Sequence, residues 1–64
     1  MCLSTVYNEK HEMLARNVAS VKAEKGRIIF IDIMGIPLTV AGEIEKVDLM
    51  ENEILIRQAE EKTA

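Results

Sequence analysis

Cys2 is the only cysteine of the chain, and it stands in the second position, in Met1-Cys2-Leu3. A single thiol cannot form a disulfide within the chain. It can bind a metal, because its neighbours at the terminus supply nitrogen donors. If Met1 is removed, which a small second residue permits, the Cys2 amine and thiolate form a five-membered chelate. If Met1 stays, its amine, the Cys2 amide and the Cys2 thiolate form two fused rings. Either set of nitrogen and thiolate suits a square-planar ion such as Ni(II) or Cu(II). A bound metal also favours loss of the thiol proton, whose unperturbed pKa is about 8.5. Met1 and Cys2 are therefore the candidate metal ligands. One chain supplies only part of a coordination plane, and a two-fold axis near the terminus would bring a second Cys2 to complete it.

The other chemically capable residues read as structural. His11, the only histidine, lies in a polar stretch, Lys10-His11-Glu12, and is expected to be a solvated turn or strand residue. It is an accessory ligand only if that hairpin approaches Cys2. Met13, Met34 and Met50 are expected to pack in the core or at its rim. Glu43, Glu45, Asp48, Glu51 and Glu53 match no calcium-loop spacing and read as a solvated hairpin face. Asp32, between Ile31 and Ile33, is expected to bond the Gly35 turn or to lie at a dimer face. One histidine and one cysteine nine positions apart make no nucleophilic pair. The three glycines, Gly26, Gly35 and Gly42, are isolated and form no phosphate loop. The chain reads as a binding protein and not as an enzyme.

Sixty-four residues make one domain at most. Hydrophobic residues are 48% of the chain and aromatic residues 3%, so the core must be aliphatic. Chains below roughly 70–80 residues usually need a disulfide, a metal or a partner to hold a core. With the disulfide excluded, a homodimer is expected. The net charge of −3 argues against nucleic acid as the main partner. There is no apolar run near the ~18 residues of a membrane span and no signal-peptide pattern at the start, so a cytoplasmic location is expected.

The elements that must position Cys2 read as strands almost throughout. Leu3, Thr5 and Tyr7 alternate with Cys2, Ser4 and Val6, and Asn8-Glu9-Lys10 is a polar turn. Glu12-Met13-Leu14 reads as a short strand and Val18 to Glu24 as another, with a helix over Tyr7 to Glu24 the competing reading. Gly26 turns the chain into the strongest strand, Arg27 to Met34, which is apolar on both faces. Ile29, Ile31 and Ile33 share one face; Ile28 and Phe30 share the other, which is expected to meet a second subunit. Ile36 to Ala41 alternates, with Pro37 at an edge or a strand start. Gly42 marks a corner. Glu43 to Met50 slips by one near Glu45-Lys46, as a β-bulge does. Asn52 is suited to the left-handed region in the following turn, and Glu53 to Arg57 is the last strand. The expected fold is all-β: a small, strongly curved antiparallel β-barrel or half-barrel of about six to seven short strands. Residues 1–58 form the single domain and 59–64 a frayed polar tail.

Met1-Cys2-Leu3-Ser4-Thr5-Val6-Tyr7, Val18-Ala19-Ser20-Val21, Gly42-Glu43-Ile44 and Lys46-Val47-Asp48-Leu49, in this order in so short a chain, resemble the CooT family over roughly residues 1–57. The resemblance implies a nickel-binding accessory protein, metallochaperone-like. It implies a small β-barrel homodimer with one Ni(II) between subunits, bound by Cys2 and by main-chain atoms of Met1 and Cys2. The client it implies is a nickel enzyme such as carbon monoxide dehydrogenase. Members have also carried the label of RNA-binding protein. A barrel-type RNA-binding module is the alternative reading, and it would need a basic stripe of Lys22, Lys25, Arg27 and Lys46. A third reading is a maturation chaperone of the HypC type, which also begins Met-Cys-Leu. That family usually has a proline a few residues on, and here the only proline is Pro37.

Overall fold

The computed structural model describes residues 3–59, which form five strands. They are β1 (Ser4–Tyr7), β2 (Met13–Glu24), β3 (Arg27–Asp32), β4 (Pro37–Asp48) and β5 (Glu53–Gln58). No helix occurs among the described residues, so the helical reading of Tyr7 to Glu24 falls. Each strand pairs with the next in sequence, and β5 pairs back with β1, so the sheet closes into a ring.

The strand count is five where six to seven were expected, because two breaks read from the sequence are bends. Met13 to Glu24 is one strand of 12 residues. It carries a register irregularity between Val18 and Ser20, and Asn17 beside it has φ 56°. Pro37 to Asp48 is likewise one strand of 12 residues and runs through Gly42. A residue at positive φ turns an extended chain without ending its hydrogen bonding. Both long strands change partner at the bend. β2 pairs with β1 along Met13 to Val18 and with β3 along Val18 to Glu24. β4 pairs with β3 along Pro37 to Ala41 and with β5 along Gly42 to Asp48.

The sheet is also not wholly antiparallel, since β1 and β5 are parallel. Parity requires this. Four successive antiparallel steps leave the first and fifth strands pointing the same way. An odd-numbered ring built in sequence order must therefore close on one parallel pair.

Inside the ring lie Val6, Val18, Ile28, Phe30, Val40, Ile54 and Ile56, with Leu14, Ala15 and Ile44 packed against them. The core is aliphatic except for Phe30, as the composition requires. The assignment of faces on β3 is the reverse of the expectation. Ile28 and Phe30 are each 1% exposed and fill the core, whereas Ile31 and Ile33 face outward. Alternation separates two faces, but curvature decides which is concave. Ile28 stands opposite Val40 and so faces inward with it. The Ile28–Phe30 face is therefore enclosed by the ring and is not open to a second subunit.

Local turn chemistry follows the sequence closely. Gly26 has φ 77° in the β2–β3 turn and Asn52 φ 57° in the β4–β5 turn. Pro37 is the first residue of β4. The slip near Glu45-Lys46 is a register shift between Ile44 and Lys46.

Candidate metal-binding end

β1 is the first element of the described residues and begins two residues after Cys2. It lies between β2, with Ser4 opposite Val18, and β5, with Thr5 opposite Glu53. The Thr5 N–H donates to the Asn52 carbonyl at 2.9 Å. The start of β1 is thus fixed against the β4–β5 turn, and Leu3 is half-buried. Cys2 and Met1, the expected ligands, lie outside the described residues, as does the tail from Glu60 onward.

The turn beside this end is ordered by Asp48. Its Oδ1 accepts from the Met50 N–H at 3.1 Å and the Glu51 N–H at 3.0 Å. The Glu51 N–H holds the Asp48 carboxyl below its ordinary range, with Lys46 adding to the effect. Lys46 Nζ is 3.6 Å away. Polar groups of the turn are thus engaged with one another, while Leu49 and Met50 stand out at 80% and 91% exposure. Met13 and Met34 are exposed as well, so the expectation that the methionines pack in the core or at its rim does not hold. They occupy the convex side and the turns, which the ring cannot enclose.

His11 is not brought to this end. The β1–β2 hairpin turns beyond Tyr7, which pairs with Met13, at the opposite end of β1 from Leu3. A strand of four residues separates the two ends by about 10 Å at ~3.3 Å per residue. His11 is exposed at φ 61°, a solvated turn residue as expected. The acidic residues do not gather either. Arg57 lies between Glu43 and Glu45 at 3.3 and 3.2 Å, and Asp48 belongs to its turn. Among the described residues no group of three or more His, Cys, Asp or Glu side chains could hold a metal. Asp32 bonds its own turn, its Oδ1 accepting from the Met34 and Ile36 N–H groups at 2.9 Å each.

The basic stripe is largely neutralised. Glu24 sits 2.7 Å from Arg27 and 3.5 Å from Lys22, and the Arg27 hydrogen bond holds its carboxyl below the ordinary range. With Lys46 paired to Asp48, three of the four stripe residues have an acidic partner. Phe30 is buried and Tyr7 half-buried, so neither phenyl ring stands fully exposed as a stacking face for a base.

Sequence reasoning missed the network under the β1–β2 turn. Asn8, read as a polar turn residue, is 3% exposed. Its Nδ2 donates to Glu12 Oε1 at 2.7 Å and to Gln58 Oε1 at 2.9 Å, and its Oδ1 accepts from the Lys10 and Glu12 N–H groups. Nearby, Glu9 accepts from the Gln58 N–H at 3.1 Å. Its carboxyl is held below the ordinary range by its own backbone N–H and by that of Gln58. A cleft of about 550 Å³ adjoins this network, lined by Asn8, Glu12, Leu14, Leu38 and Val40 among others. It is at the His11 end of β1, away from the terminus. Only the Asn8-Glu9-Lys10 turn itself was visible in the sequence; the partners across 49 and 50 positions were not.

The start of β1 lies at the β4–β5 turn, and the comparison with known families covers the residues that lead into it. The family described as CO dehydrogenase accessory protein CooT matches residues 1–57. The chain belongs to the CooT family. The match begins at Met1, passes through Cys2 and extends along all five strands as far as Arg57. No curated protein matches the chain.

Proposed function

We propose that the protein is a nickel-carrying accessory protein that acts as a homodimer. It holds one Ni(II), as cargo, through the two Cys2 thiolates and N-terminal backbone nitrogens of Met1 and Cys2. Membership of the CooT family implies an accessory role for CO dehydrogenase, a role without catalysis of its own. The observation that carries the reading is that the family match runs through Cys2, the only thiol, joined to a strand end fixed in the fold. The donor chemistry agrees. Thiolate, amine and amide at Met1-Cys2 are a donor set that suits a square-planar Ni(II). The working compartment is the cytoplasm, where a free thiol stays reduced. No helix among the described residues is long and apolar enough to cross a membrane.

Delivery is by ligand exchange. A site built at a chain terminus is open on its outer side, so a cysteine or histidine of the client can enter the coordination sphere. Transfer then needs no unfolding of the ring. Nickel titration of the wild type and of Cys2→Ser, followed by the thiolate-to-nickel absorption band, tests this. The wild type is expected to take up half a nickel ion per chain and to show the band. Cys2→Ser is expected to lose both, and equal affinity in the two proteins would exclude the site.

A further inference from the structure

The two halves of β4 have different neighbours. Pro37 to Ala41 pairs with β3, and Gly42 to Asp48 pairs with β5. β5 ends at Gln58, opposite Gly42. Among the described residues, the edge of β4 that faces away from β3 is therefore open along Pro37 to Ala41. Backbone groups point alternately to the two sides of a strand, and two bonds set the phase here. The Gly42 N–H donates to the Gly26 carbonyl at 3.1 Å, beside the start of β3. The Ala41 carbonyl accepts from the Ala59 N–H at 3.0 Å, on the opposite side. The N–H and C=O of Thr39 point to that open side with Ala41, and so does the Pro37 carbonyl. Sheet edges are normally blunted by charge, proline or a bulge; Thr39, Val40 and Ala41 have none of these. The open edge borders the cleft of about 550 Å³ beside the Asn8 network, where Leu38, Thr39 and Ala41 form the wall together with Leu14 of β2. Leu14 and Leu38 also line a second cavity of about 240 Å³, which reaches Val18 and Phe30.

We infer that this edge binds an extended, basic and apolar segment of another protein, which adds a strand to β4 beside Thr39. The inference does not depend on nickel. The edge is already placed for a ladder, since its Ala41 carbonyl holds the Ala59 N–H. Donors and acceptors repeated every second residue fit an extended backbone; a helix satisfies its own groups and has none to offer. Side chains of an added strand alternate between two faces. One set meets Leu14, half-buried, and Leu38, 40% exposed. The other set reaches the mouth of the cleft, and charge decides its chemistry. Glu9, Lys10 and Glu12 line that mouth, which leaves it net negative. The two carboxylates accept bonds from the Gln58 N–H and from Asn8 but keep their charge. Arg16 and Asp32, on the second cavity, balance each other. The whole chain carries −3, in the same sense. Lysine or arginine is therefore the complementary partner at this mouth. The same charges disfavour the chain's own continuation, because Ala59 is followed by Glu60 and Glu61.

The probe is a short dye-labelled peptide that alternates valine and lysine, titrated with the full chain and read by fluorescence anisotropy. Wild type is expected to bind it. The same peptide with glutamate in place of lysine is expected to bind at least about tenfold more weakly. N-methylation of its amides removes the donors and keeps the charge, and it is expected to weaken binding by at least about tenfold. Thr39→Pro removes one donor from the open edge and no bond to β3. By circular dichroism that variant is expected to remain folded, because proline is tolerated where a strand N–H faces away from the ladder. Its affinity for the peptide is expected to fall about tenfold. A saturation curve absent up to about 1 mM peptide overturns the inference. Equal affinity in Thr39→Pro, or for the N-methylated peptide, overturns strand addition, and equal affinity for the glutamate peptide overturns the basic partner. If Thr39→Pro unfolds, its N–H serves the β3 ladder and the edge is not the one described, which also overturns the inference. Binding seen only in Glu61→Pro, where proline blocks pairing by the chain's own continuation, assigns the edge to that continuation and overturns the partner.

Discussion

Asn8 shows how much a single polar residue can carry in so small a ring. It is buried, and its side chain joins the β1–β2 turn to Gln58 at the end of β5. A net gain of about 0.5–1.5 kcal/mol per hydrogen bond, set against water access to the freed groups, gives about 2–3 kcal/mol for Asn8→Ala. The midpoint of urea denaturation should fall accordingly. Gly42 is a different case. Its φ is 150°, and a Cβ there would meet the Arg57 carbonyl oxygen and come within 3.0 Å of the Gln58 Cα. Those are backbone atoms of the paired strand, so neither side can yield cheaply. Gly42→Ala is expected to cost about 2–4 kcal/mol in the same measurement. Gly26 also has positive φ but nothing within 4 Å of an added Cβ, so Gly26→Ala should cost less. The sequence marked Gly42 as a corner; the nearness of Arg57 came only with the fold.

Among the elements, the turns are the most legible and the strand boundaries the least. Asp32 bonding its own turn, Gly26 and Asn52 at positive φ, and the bulge near Glu45 each follow from chemistry within a few residues. The β4–β5 turn yields a pH prediction. The Glu51 N–H, helped by Lys46, lowers the Asp48 carboxyl below its ordinary 3.8 in the folded chain. A group whose folded pKa is depressed contributes stability above its unfolded pKa and loses it as pH falls through the folded value. The loss therefore lies in acid, below about pH 4, and not near neutrality. Glu9 and Glu24 are lowered in the same sense and add to it. Thermal melts from pH 7 to pH 2 should show stability falling at the acid end. Asp48→Asn, which keeps the Oδ1 acceptor and removes the charge, should be less stable at pH 7 and show a shallower acid slope. An unchanged slope would mean that the carboxylate charge does not support the turn.

At the scale of the whole molecule, size is the governing fact. Seven buried hydrophobic residues among the described ones make a small core for a ring of five strands, and several large apolar side chains are left outside it. Association is the remedy open to a chain with one thiol. If the folded form is a dimer, its melting temperature must rise with protein concentration by mass action. Scanning calorimetry over about a hundredfold range of concentration should show that rise, and added nickel should raise the midpoint further in wild type but not in Cys2→Ser. A midpoint independent of concentration would speak for a monomer. The sequence alone determined the strand-forming pattern, the turn residues and the aliphatic core composition, because each depends on residue type and near neighbours. The tertiary structure decided the rest. Closure of five strands fixed the parallel β1–β5 pair, and curvature chose Ile28 and Phe30 for the inside. The bends at Asn17 and Gly42 fused four expected strands into two. Ring closure also set the start of β1 beside the β4–β5 turn, a contact between Thr5 and Asn52 that no local pattern records. Such pairings depend on chain direction and curvature summed around the whole ring, and no short stretch of sequence carries that sum.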